Sequence, residues 1–420
     1  MNDVFVLDTS KQPLDPIHPA EARKLLRGGQ AAIFRTYPFT IILKVAAMEE
    51  PEPLRVKVDP GSKTTGMAVV HDETGRVVWA ANLQRRGQRI KDALLGRRAI
   101  RRSRRNRKTR YRQARFLNRT RPQGWVAPSL QSRVDNIVTW VKRLWMVSNI
   151  THISMELVRF DMQQMDNPEI SGVEYQHGEL AGYEGREYLL EKFNRRCAYC
   201  TIENVPMQVE HIIPRSRGGS NRVSNLTIAC APCNQKKGAM TAEEFGHPEV
   251  QRQAKQPLKD SAAVNATRWR VYEAVQQSGM PVEVGSGGRT KFNRSCLGLP
   301  KDHWIAAACV GASTPSWLYV GKTQPLVMTA TGHGSRQMCR MDTYGFPRTG
   351  AKGAKKVFGF QTGDMVRAVV TSGVKKGTHV GKVAVRTTGS FNITTTTGTV
   401  QGIGYKYCRI IHRADGYAYR

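Results

Sequence analysis

The chain has 420 residues, of which 40% are hydrophobic, enough for about two to four globular domains with real cores. It carries 65 Lys and Arg against 33 Asp and Glu, and this net charge of +32 favours a polyanionic partner, above all nucleic acid. Its eight cysteines include two Cys-x-x-Cys pairs, a pattern typical of a metal site in a reducing compartment and not of a secreted disulfide framework. No apolar run approaches about 18 residues and no leader-like segment opens the chain, so we expect a soluble cytoplasmic protein without membrane association.

Residues 1–50 are predicted to form a small separate unit. Val4 to Leu7 has the composition of a strand, and Pro13 to Pro16 has that of a turn. A short helix should follow from His18 to Leu26, because Gly28 and Gly29 come directly after it and Gly commonly ends helices. Ala31 to Leu43 then contains two strand-like runs.

A β-hairpin is predicted in residues 51–84, after a Pro-rich break. Leu54 to Asp59 alternates between apolar and polar residues, as a half-buried strand does. Met67 to His71 returns after a Gly-containing turn, and Val77 to Ala81 adds a further strand. Asp59 ends the first strand, where it either caps the turn or binds a metal.

Residues 85–121 are the most basic part of the chain, with 17 Lys or Arg and one acid, Asp92. Arg favours helix and the segment lacks Pro, so we predict a long basic helix with too few apolar residues for a core stripe. Arg binds phosphate through a planar, bidentate fork, which suits this helix to nucleic acid. A disordered basic segment is the alternative. The residues expected to contact nucleic acid are Arg97, Arg98, Arg101, Arg102, Arg104, Arg105, Arg107 and Arg110.

In residues 122–170, apolar side chains at helical spacing predict an amphipathic helix from Ser129 to Ser148 that packs in a core. Thr151 to Glu156 is predicted to be a buried strand. A carboxylate such as that of Glu156 in an apolar strand needs a partner, and a metal ion is one. The polar segment from Asp161 to Glu184 is predicted to be a linker.

Two Cys-x-x-Cys pairs dominate residues 171–255: Cys197 with Cys200, and Cys230 with Cys233. A short helix, Glu187 to Phe193, leads into them. Four thiolates in two such pairs suit a closed tetrahedral zinc site that holds a small segment together.

Between the pairs lie Glu210 and His211, and Asn234 follows the last cysteine. A His beside a carboxylate, with an Asn about twenty residues on, can supply a general base and two oxygen ligands for Mg²⁺. A structural zinc knuckle without chemistry is the alternative, although it would need neither His211 nor Asn234.

Residues 256–314 should hold a helix from Ala262 to Gln277, a hairpin from Pro281 to Phe292 around Gly-rich residues, and a helix from Asp302 to Val310. His303 lies in the first turn of that last helix.

Residues 315–420 are rich in Gly, Thr and Val in short alternating runs, which predicts a small β-barrel or sandwich. Two loops of this region mix basic residues, Gln and aromatic residues, a mixture that suits groove or single-strand contact with nucleic acid. Their candidate contact residues are Arg336, Arg340 and Arg348. A merely solvated basic surface is the alternative.

The segment from Cys197 to Gly238 resembles the HNH nuclease motif in its zinc-bound, ββα-metal form. The matching residues are Glu210, His211, Asn225 and Asn234, with Gly218-Gly219 in the loop between the strands and Lys237-Gly238 at the helix. The resemblance implies that His211 activates the attacking water, that Glu210 and Asn234 hold one Mg²⁺, and that Asn225 braces the loop that orients His211.

Asp59, Glu156 and His303, each at the edge of a predicted element, resemble the metal ligands of the RuvC nuclease, which has an RNase H-like fold. In that fold the ligands would hold two Mg²⁺ at the scissile phosphate. The RuvC pattern has a further Asp three residues after the His, and this chain has Ala306 there. Because Ala cannot bind a metal, we expect a crippled RuvC centre beside an intact HNH centre.

The order of all these pieces resembles the IscB family, transposon-encoded RNA-guided nucleases related to type II CRISPR effectors. Specific motifs are Val58 to Lys63, Glu210 to Pro214, Cys233 to Gly238 and Lys301 to Trp304; Pro13 to Pro16 departs from the usual Pro-Leu-Met-Pro by having Asp15. The implied architecture is an α/β multidomain protein with a RuvC domain split in three, an inserted HNH domain, an Arg-rich bridge helix and a C-terminal β-barrel-like domain. The implied boundaries are 1–50 (N-terminal domain), 51–84, 122–170 and 256–314 (RuvC), 85–121 (bridge helix), 171–255 (HNH) and 315–420 (C-terminal domain).

The resemblance implies a structured guide RNA, the omega RNA, as a cofactor beside Mg²⁺ and Zn²⁺, and double-stranded DNA as the target. HNH would cut the guide-paired strand, RuvC the displaced strand, and the C-terminal domain would read a short motif beside the target. A monomeric ribonucleoprotein is expected. Two alternatives stay open: a protein-only HNH endonuclease of the homing or restriction type, and a non-catalytic RNA-binding protein with a zinc staple.

Overall fold

A computed structural model describes residues 2–46, 50–106, 125–157, 183–255, 261–321, 323–332, 341–344, 346–350 and 353–420. Several predictions from the sequence lie outside these residues. They concern Arg107 and Arg110 with the rest of the basic segment, the linker that begins at Asp161, and the loop that contains Arg336 and Arg340. Arg104 and Arg105 lie in a described helix, but their side chains are outside the description.

Most of the helices that the sequence predicts within the described residues begin and end close to where they are expected, whereas the helices Pro248–Lys255 and Gly287–Cys296 were not predicted. No helix in the described part of the chain is both long and apolar enough to cross a bilayer. The helices are α1 (Pro19–Arg27), α2 (Gly87–Asn106), α3 (Pro128–Trp145), α4 (Tyr183–Lys192), α5 (Ala231–Lys237), α6 (Pro248–Lys255), α7 (Ser261–Gln276), α8 (Gly287–Cys296) and α9 (His303–Ala308).

The strands fall into three groups along the chain. The first group is β1 (Val4–Leu7), β2 (Pro13–Ile17), β3 (Ala31–Arg35), β4 (Thr40–Leu43), β5 (Leu54–Pro60), β6 (Thr64–Val70), β7 (Val77–Gln84) and β8 (Ile150–Glu156). The second is β9 (Met207–His211), β10 (Leu226–Cys230), β11 (Val282–Gly285) and β12 (Leu326–Ala330). The third is β13 (Lys356–Val357), β14 (Phe360–Gln361), β15 (Met365–Val370), β16 (Gly377–Ala384), β17 (Ser390–Thr394), β18 (Thr399–Gly404), β19 (Cys408–His412) and β20 (Tyr417–Tyr419).

The chain divides into two compact units. One comprises Met1–Pro51, Ala81–Asn149 and Gln324–Arg420, and the other comprises Glu52–Ala80 and Ile150–Thr323.

The first unit contains two antiparallel-rich sheets, each with its own core. The N-terminal sheet has the order β2-β1-β4-β3 and packs the buried side of α1 through Ala22 and its apolar neighbours. The C-terminal sheet has the order β18-β17-β16-β15-β19 around Phe391, Ile393 and other buried residues. Among the described residues, no pairing between β18 and β19 closes this sheet into a barrel. In the same unit, Ala81 to Gln84 of β7 pair in parallel with β12, which pairs in turn with β20.

A mixed sheet forms the frame of the second unit. β5 pairs with β8 in parallel and with β6 antiparallel, and β11 pairs with β8 in parallel. In β5, Leu54, Val56 and Val58 are buried on one face. The other face carries Arg55, Lys57 and Asp59, of which Lys57 is fully buried and the other two are partly buried. α9 packs against β5 and β6.

The ββα unit of the second unit has a core of its own. β9 and β10 pair antiparallel from Met207 with Cys230 to His211 with Leu226. α5 follows β10 directly, with Pro232 near its start, where a missing N–H costs nothing. The cluster that buries this hairpin includes Leu189 of α4, Ile212, Ile228 and Val250 of α6.

Two sequence predictions are wrong. Pro13 to Pro16 is not a turn, because Pro13 to Ile17 pairs with β1 as β2. Pro281 to Phe292 is not a hairpin, because β11 ends at Gly285 and α8 begins at Gly287. Ser286 accepts a hydrogen bond from the N–H of Arg289 at 3.2 Å, so it caps α8 and converts the Gly-rich stretch into a helix start.

Candidate functional site: a ββα unit with a four-cysteine cluster

The two cysteine pairs meet in one cluster. The Sγ atoms of Cys197, Cys200, Cys230 and Cys233 all lie within 4.8 Å of one another. Cys200 Sγ and Cys230 Sγ are 3.6 Å apart, too far for a disulfide bond of about 2.05 Å. Four sulfurs around one Zn²⁺ at about 2.3 Å would be about 3.8 Å apart, so the donor set fits zinc.

The pKa values of three of these thiols depart from that of an ordinary cysteine. Burial alone would raise the pKa of Cys197, but backbone N–H groups of Cys200, Cys230 and Tyr199 lower it to about 7. Burial, together with neighbouring thiols, raises the pKa of Cys233, and burial raises that of Cys230. Four thiols packed this closely can all ionise only beside a positive charge, which a metal ion supplies.

His211 lies at the end of β9 with its ring at the surface. Its Nε2 is 2.9 Å from Oδ1 of Asn221. Because an amide oxygen only accepts, this hydrogen bond puts the proton of the neutral ring on Nε2 and leaves the Nδ1 lone pair available. Asn221 was not predicted as a site residue, although it lies in the loop between the two strands that the motif predicts.

Asn225 joins the two ends of the loop that follows His211. Its Oδ1 accepts from the N–H of Ile213 at 2.9 Å, while its Nδ2 donates to the carbonyls of Ile213 at 3.0 Å and Ser220 at 2.9 Å. Gly219 lies against this clasp: a Cβ there would lie 1.7 Å from the Ile213 oxygen, so only Gly fits. Asn225 thus connects Ile213 and Ser220 across the loop.

Glu210, the residue before His211, is 6% exposed and is held on both carboxylate oxygens. Lys237 Nζ donates to Oε1 at 2.5 Å, and the hydroxyl of Tyr199 donates to Oε2 at 2.6 Å. Lys237 also donates to the backbone oxygen of His211 at 2.9 Å. Burial and the hydrogen bond to Glu210 raise the pKa of Tyr199 far above its usual range, so the phenol stays protonated.

Asn234 lies on the outer side of α5 and donates from Nδ2 to Oε1 of Gln208 at 2.7 Å. Thus the predicted Mg²⁺ pair of this unit is engaged elsewhere: Glu210 with Tyr199 and Lys237, and Asn234 with Gln208. Among the described residues, the four cysteines are the only group of at least three His, Cys, Asp or Glu side chains placed to share a cation.

The structure brings the three RuvC-like residues to one end of the mixed sheet. Val58 pairs with Met155, so Asp59 and Glu156 are the next residues on neighbouring parallel strands. Asp59 pairs with Gly66, and the first turn of α9 lies against Gly66 at His303. Burial lowers the pKa of His303, which favours the neutral ring that binds metals.

Glu156 has a partner that the sequence did not reveal. Nη2 of Arg268 in α7 is 2.8 Å from Oε1 of Glu156, and Nε of Arg268 donates to the carbonyl of Pro60 at 3.3 Å. Both side chains are nearly inaccessible, with 4% and 8% exposed. An arginine therefore satisfies the buried carboxylate for which the sequence suggested a metal.

Ala306 lies one turn after His303 in α9, on the same side of the helix. Asp302 is the N-cap of α9 and accepts from the His303 N–H at 2.6 Å, so its carboxylate is occupied at the helix start.

The basic residues of α2 with described side chains are at the surface. Arg97, Arg98, Arg101 and Arg102 are exposed, and so are the apolar Leu95 and Ile100. Arg348, in the C-terminal region, is exposed as well.

Comparison with protein families gives two matches. The family described as RRXRR protein matches residues 4–178, and the family described as HNH endonuclease matches residues 197–248. A search of curated proteins finds no significant match.

Among solved structures, Streptococcus thermophilus Cas9 in complex with the AGAA PAM matches with 14% identity and a TM-score of 0.24. That match covers 62% of this chain and 32% of the Cas9 chain. The type II-C Cas9 enzyme from Actinomyces naeslundii matches with 17% identity and a TM-score of 0.17, over 46% of this chain and 33% of that one. The chain thus spans about a third of the length of these proteins.

Proposed function

Because this chain is related to the IscB- and Cas9-like nucleases, in which the RRXRR family is found, we propose that it is an RNA-guided DNA endonuclease. Its HNH unit would cut the strand that pairs with a structured guide RNA. The observation that carries this proposal is the ββα unit itself. His211 lies near the surface at the end of β9, and Asn225 holds the loop that follows it. The same unit contains the four-cysteine cluster, whose donor set fits zinc.

His211 would act as the general base. The hydrogen bond from Nε2 to Asn221 fixes the ring and leaves Nδ1 to take a proton from the attacking water. Lys237 also donates a hydrogen bond to the backbone oxygen of His211, so both the backbone and the ring of His211 are held in place.

Glu210 and Asn234 would hold a Mg²⁺, which supplies Lewis-acid stabilisation of the phosphate. Asn234 is near the surface, and to bind the Mg²⁺ its side-chain amide needs only to give up its hydrogen bond to Gln208. The cysteine cluster would hold Zn²⁺ and tie β10, α5 and the turn at Cys197 together.

A guide RNA is the proposed source of specificity because of the charge. A net charge of +32 and the exposed arginines of α2 exceed what a single short DNA site requires. In this proposal the domain boundaries are those expected from the sequence, and residues 315–420 contact the RNA and the motif beside the target.

Strand-resolved cleavage tests the proposal. The protein is loaded with its guide RNA and mixed with Mg²⁺ and a duplex labelled differently on each strand; a parallel reaction lacks RNA. We expect a cut in the guide-paired strand only, lost without RNA and lost in His211→Ala but kept in His18→Ala, a control in the N-terminal sheet region outside the ββα unit. RNA-independent cleavage, or cleavage that survives His211→Ala, would overturn the proposal.

The second centre would be formed by Asp59, Glu156 and His303, and we propose that Ala306 disables it. Ala306→Asp should then restore cleavage of the displaced strand, because it returns an oxygen ligand one helical turn from His303. Ala306→Leu is the matched control, since Leu has a similar branched shape and no oxygen ligand. An unchanged cleavage pattern in Ala306→Asp, measured on the same labelled duplex, would contradict this.

A further inference from the structure

The carboxylate of Glu210 is gripped from two sides by groups that belong to different parts of the ββα unit. Tyr199 reaches Oε2 and Lys237 reaches Oε1, and these three residues are nearly buried. A carboxylate buried to this degree keeps its position only through such partners, because an unpaired buried charge is strongly unfavourable.

Each side of the grip is attached to one cysteine pair. Tyr199 lies between Cys197 and Cys200, so its backbone belongs to the turn that these two cysteines form. Lys237 is the last residue of α5, the helix whose first residues include Cys233 and whose N-cap is Cys230. Both contacts to Glu210 therefore begin at the four-cysteine cluster.

The ring of Tyr199 has no freedom to follow Glu210 by itself. It packs edge-on against Phe245, with centroids 5.2 Å apart, and lies 5.2 Å from the ring of His247. Its hydroxyl position is thus determined by the backbone of the Cys197–Cys200 turn and by this aromatic packing.

We propose that Tyr199 is a positioning residue through which the cation held by the four cysteines sets the place of Glu210, and so of the Glu210–His211 pair. The reaction role of that pair rests on the proposed function, whereas the link between cluster and carboxylate does not. By reciprocity, a change at Glu210 must alter how firmly the cluster holds its cation.

The reciprocal effect is measured without any cleavage. Zn²⁺-loaded full-length protein is titrated with a colorimetric chelator of known Zn²⁺ affinity, and the Kd of the cluster for Zn²⁺ is obtained from the competition at equilibrium. Tyr199→Phe and Glu210→Gln should each weaken Zn²⁺ binding about fivefold or more, the low end of typical couplings between sites. Tyr272→Phe and Glu203→Gln are matched controls with the wild-type affinity: Tyr272 lies on α7, and Glu203 forms an exposed ion pair beside the cysteine turn.

Single-turnover cleavage of the guide-paired strand is the second readout. Tyr199→Phe keeps the ring and its packing, so the variant should fold, which circular dichroism checks. Its rate constant should fall by about 10–100-fold, as for lost partners of metal-binding groups, while the amplitude stays at the wild-type value. A residue needed only for folding would reduce the amplitude and leave the rate constant unchanged.

The outcomes separate the two proposals. Wild-type Zn²⁺ affinity in Tyr199→Phe and Glu210→Gln would overturn the link, whatever the protein cleaves. Weaker Zn²⁺ binding with an unchanged cleavage rate constant would overturn the positioning role. Weaker Zn²⁺ binding in the two variants, when the wild-type protein itself cleaves no guided target, would support the link while the proposed function fails.

Discussion

A buried ion pair lies at one end of the mixed sheet. Arg268 and Glu156 form an ion pair in which neither partner is in water, and Arg268 also binds the carbonyl of Pro60. Such a pair contributes little net stability compared with apolar residues in its place. Removal of one partner, however, leaves the other charge buried without compensation.

Arg268→Met should therefore destabilise the protein by about 3–5 kcal/mol, because it leaves Glu156 buried without its partner. Arg270→Met is the matched control two residues along α7; its ion pair with Glu273 is roughly half exposed, so about 0–1 kcal/mol is expected. Thermal melting of both variants measures the difference. Adding Glu156→Gln to Arg268→Met should recover much of the loss, and equal melting temperatures for Arg268→Met and Arg270→Met would contradict the prediction.

Lys57 is a second buried charge, fully inaccessible on the polar face of β5. Its Nζ donates to the carbonyl of Val310 at 3.0 Å and to Oγ1 of Thr314 at 3.2 Å. Burial lowers the pKa of Lys57 from 10.5 to about 8, against the opposing attraction of Glu283 and Asp72.

This shift predicts a pH dependence of stability. Between pH 8 and 10.5 the folded protein has released the Lys57 proton and the unfolded chain still binds it, so the free energy of unfolding rises with pH. The gain reaches at most about 3 kcal/mol. The melting temperature of the wild type, measured relative to that of Lys57→Met, should therefore increase as the pH rises across this window. The melting temperature of the wild type relative to that of Lys63→Met, a control at an exposed lysine, should stay constant.

At this scale the sequence revealed the residues whose signal is local. The cysteine spacing predicts the cluster, and the motif around His211 led to Asn225, whose clasp spans only twelve residues. The partners of the two glutamates were missed. Arg268 is 112 positions from Glu156, in a chain with many arginines, and no local pattern distinguishes it. Tyr199 and Lys237 resemble ordinary core and surface residues until the hairpin is folded.

Helix α9 owes its position to a glycine. A Cβ on Gly66 would lie 1.8 Å from the backbone oxygen of His303, so β6 and α9 touch without a side chain between them. Gly at such a contact marks close approach of two backbones.

Gly66→Ala should push α9 from the sheet and destabilise the protein by about 1–3 kcal/mol, the cost typical of overpacking. Gly96→Ala is the matched control: a Cβ there meets nothing within 4 Å, and Ala is favoured by about 0.5–1 kcal/mol in a helix interior. Melting temperatures should move in opposite directions. A Gly66→Ala variant as stable as the wild type would show that the contact yields without cost.

Helices and strands with a clear hydrophobic periodicity were predicted well, whereas elements rich in Gly and Pro were not. The amphipathic run of α3 and the alternation of β5 give clear helix and strand signals. β2 contains two Pro and belongs to an edge of its sheet, which is where strands tolerate Pro. The sequence of β18 gives no clear strand signal, because its Gly and Thr residues lack the apolar alternation by which strands are recognised.

The positive charge of the molecule should make its binding to RNA depend on the salt concentration. The arginines at 97, 98, 101 and 102 are exposed on one turn and a half of α2. If they contact guide RNA phosphates, each neutralised phosphate adds about 0.7–0.9 to the slope of log affinity against log salt concentration.

Replacing these four arginines by Gln should reduce that slope by about three units, because four phosphate contacts are lost. Filter binding of labelled guide RNA over a series of salt concentrations measures it for wild type and variant. A slope that changes by less than about one unit would place the phosphate contacts elsewhere on the chain.

The ββα unit lies within the chain connection between two parallel strands of the mixed sheet, β8 and β11. A parallel pair needs a crossover, and α7 alone is long enough to provide it. The ββα unit, which lies between β8 and α7 in the chain, has a separate hydrophobic core. We therefore expect that a variant in which a short linker replaces the ββα unit keeps the strand order β11-β8-β5-β6 of the mixed sheet.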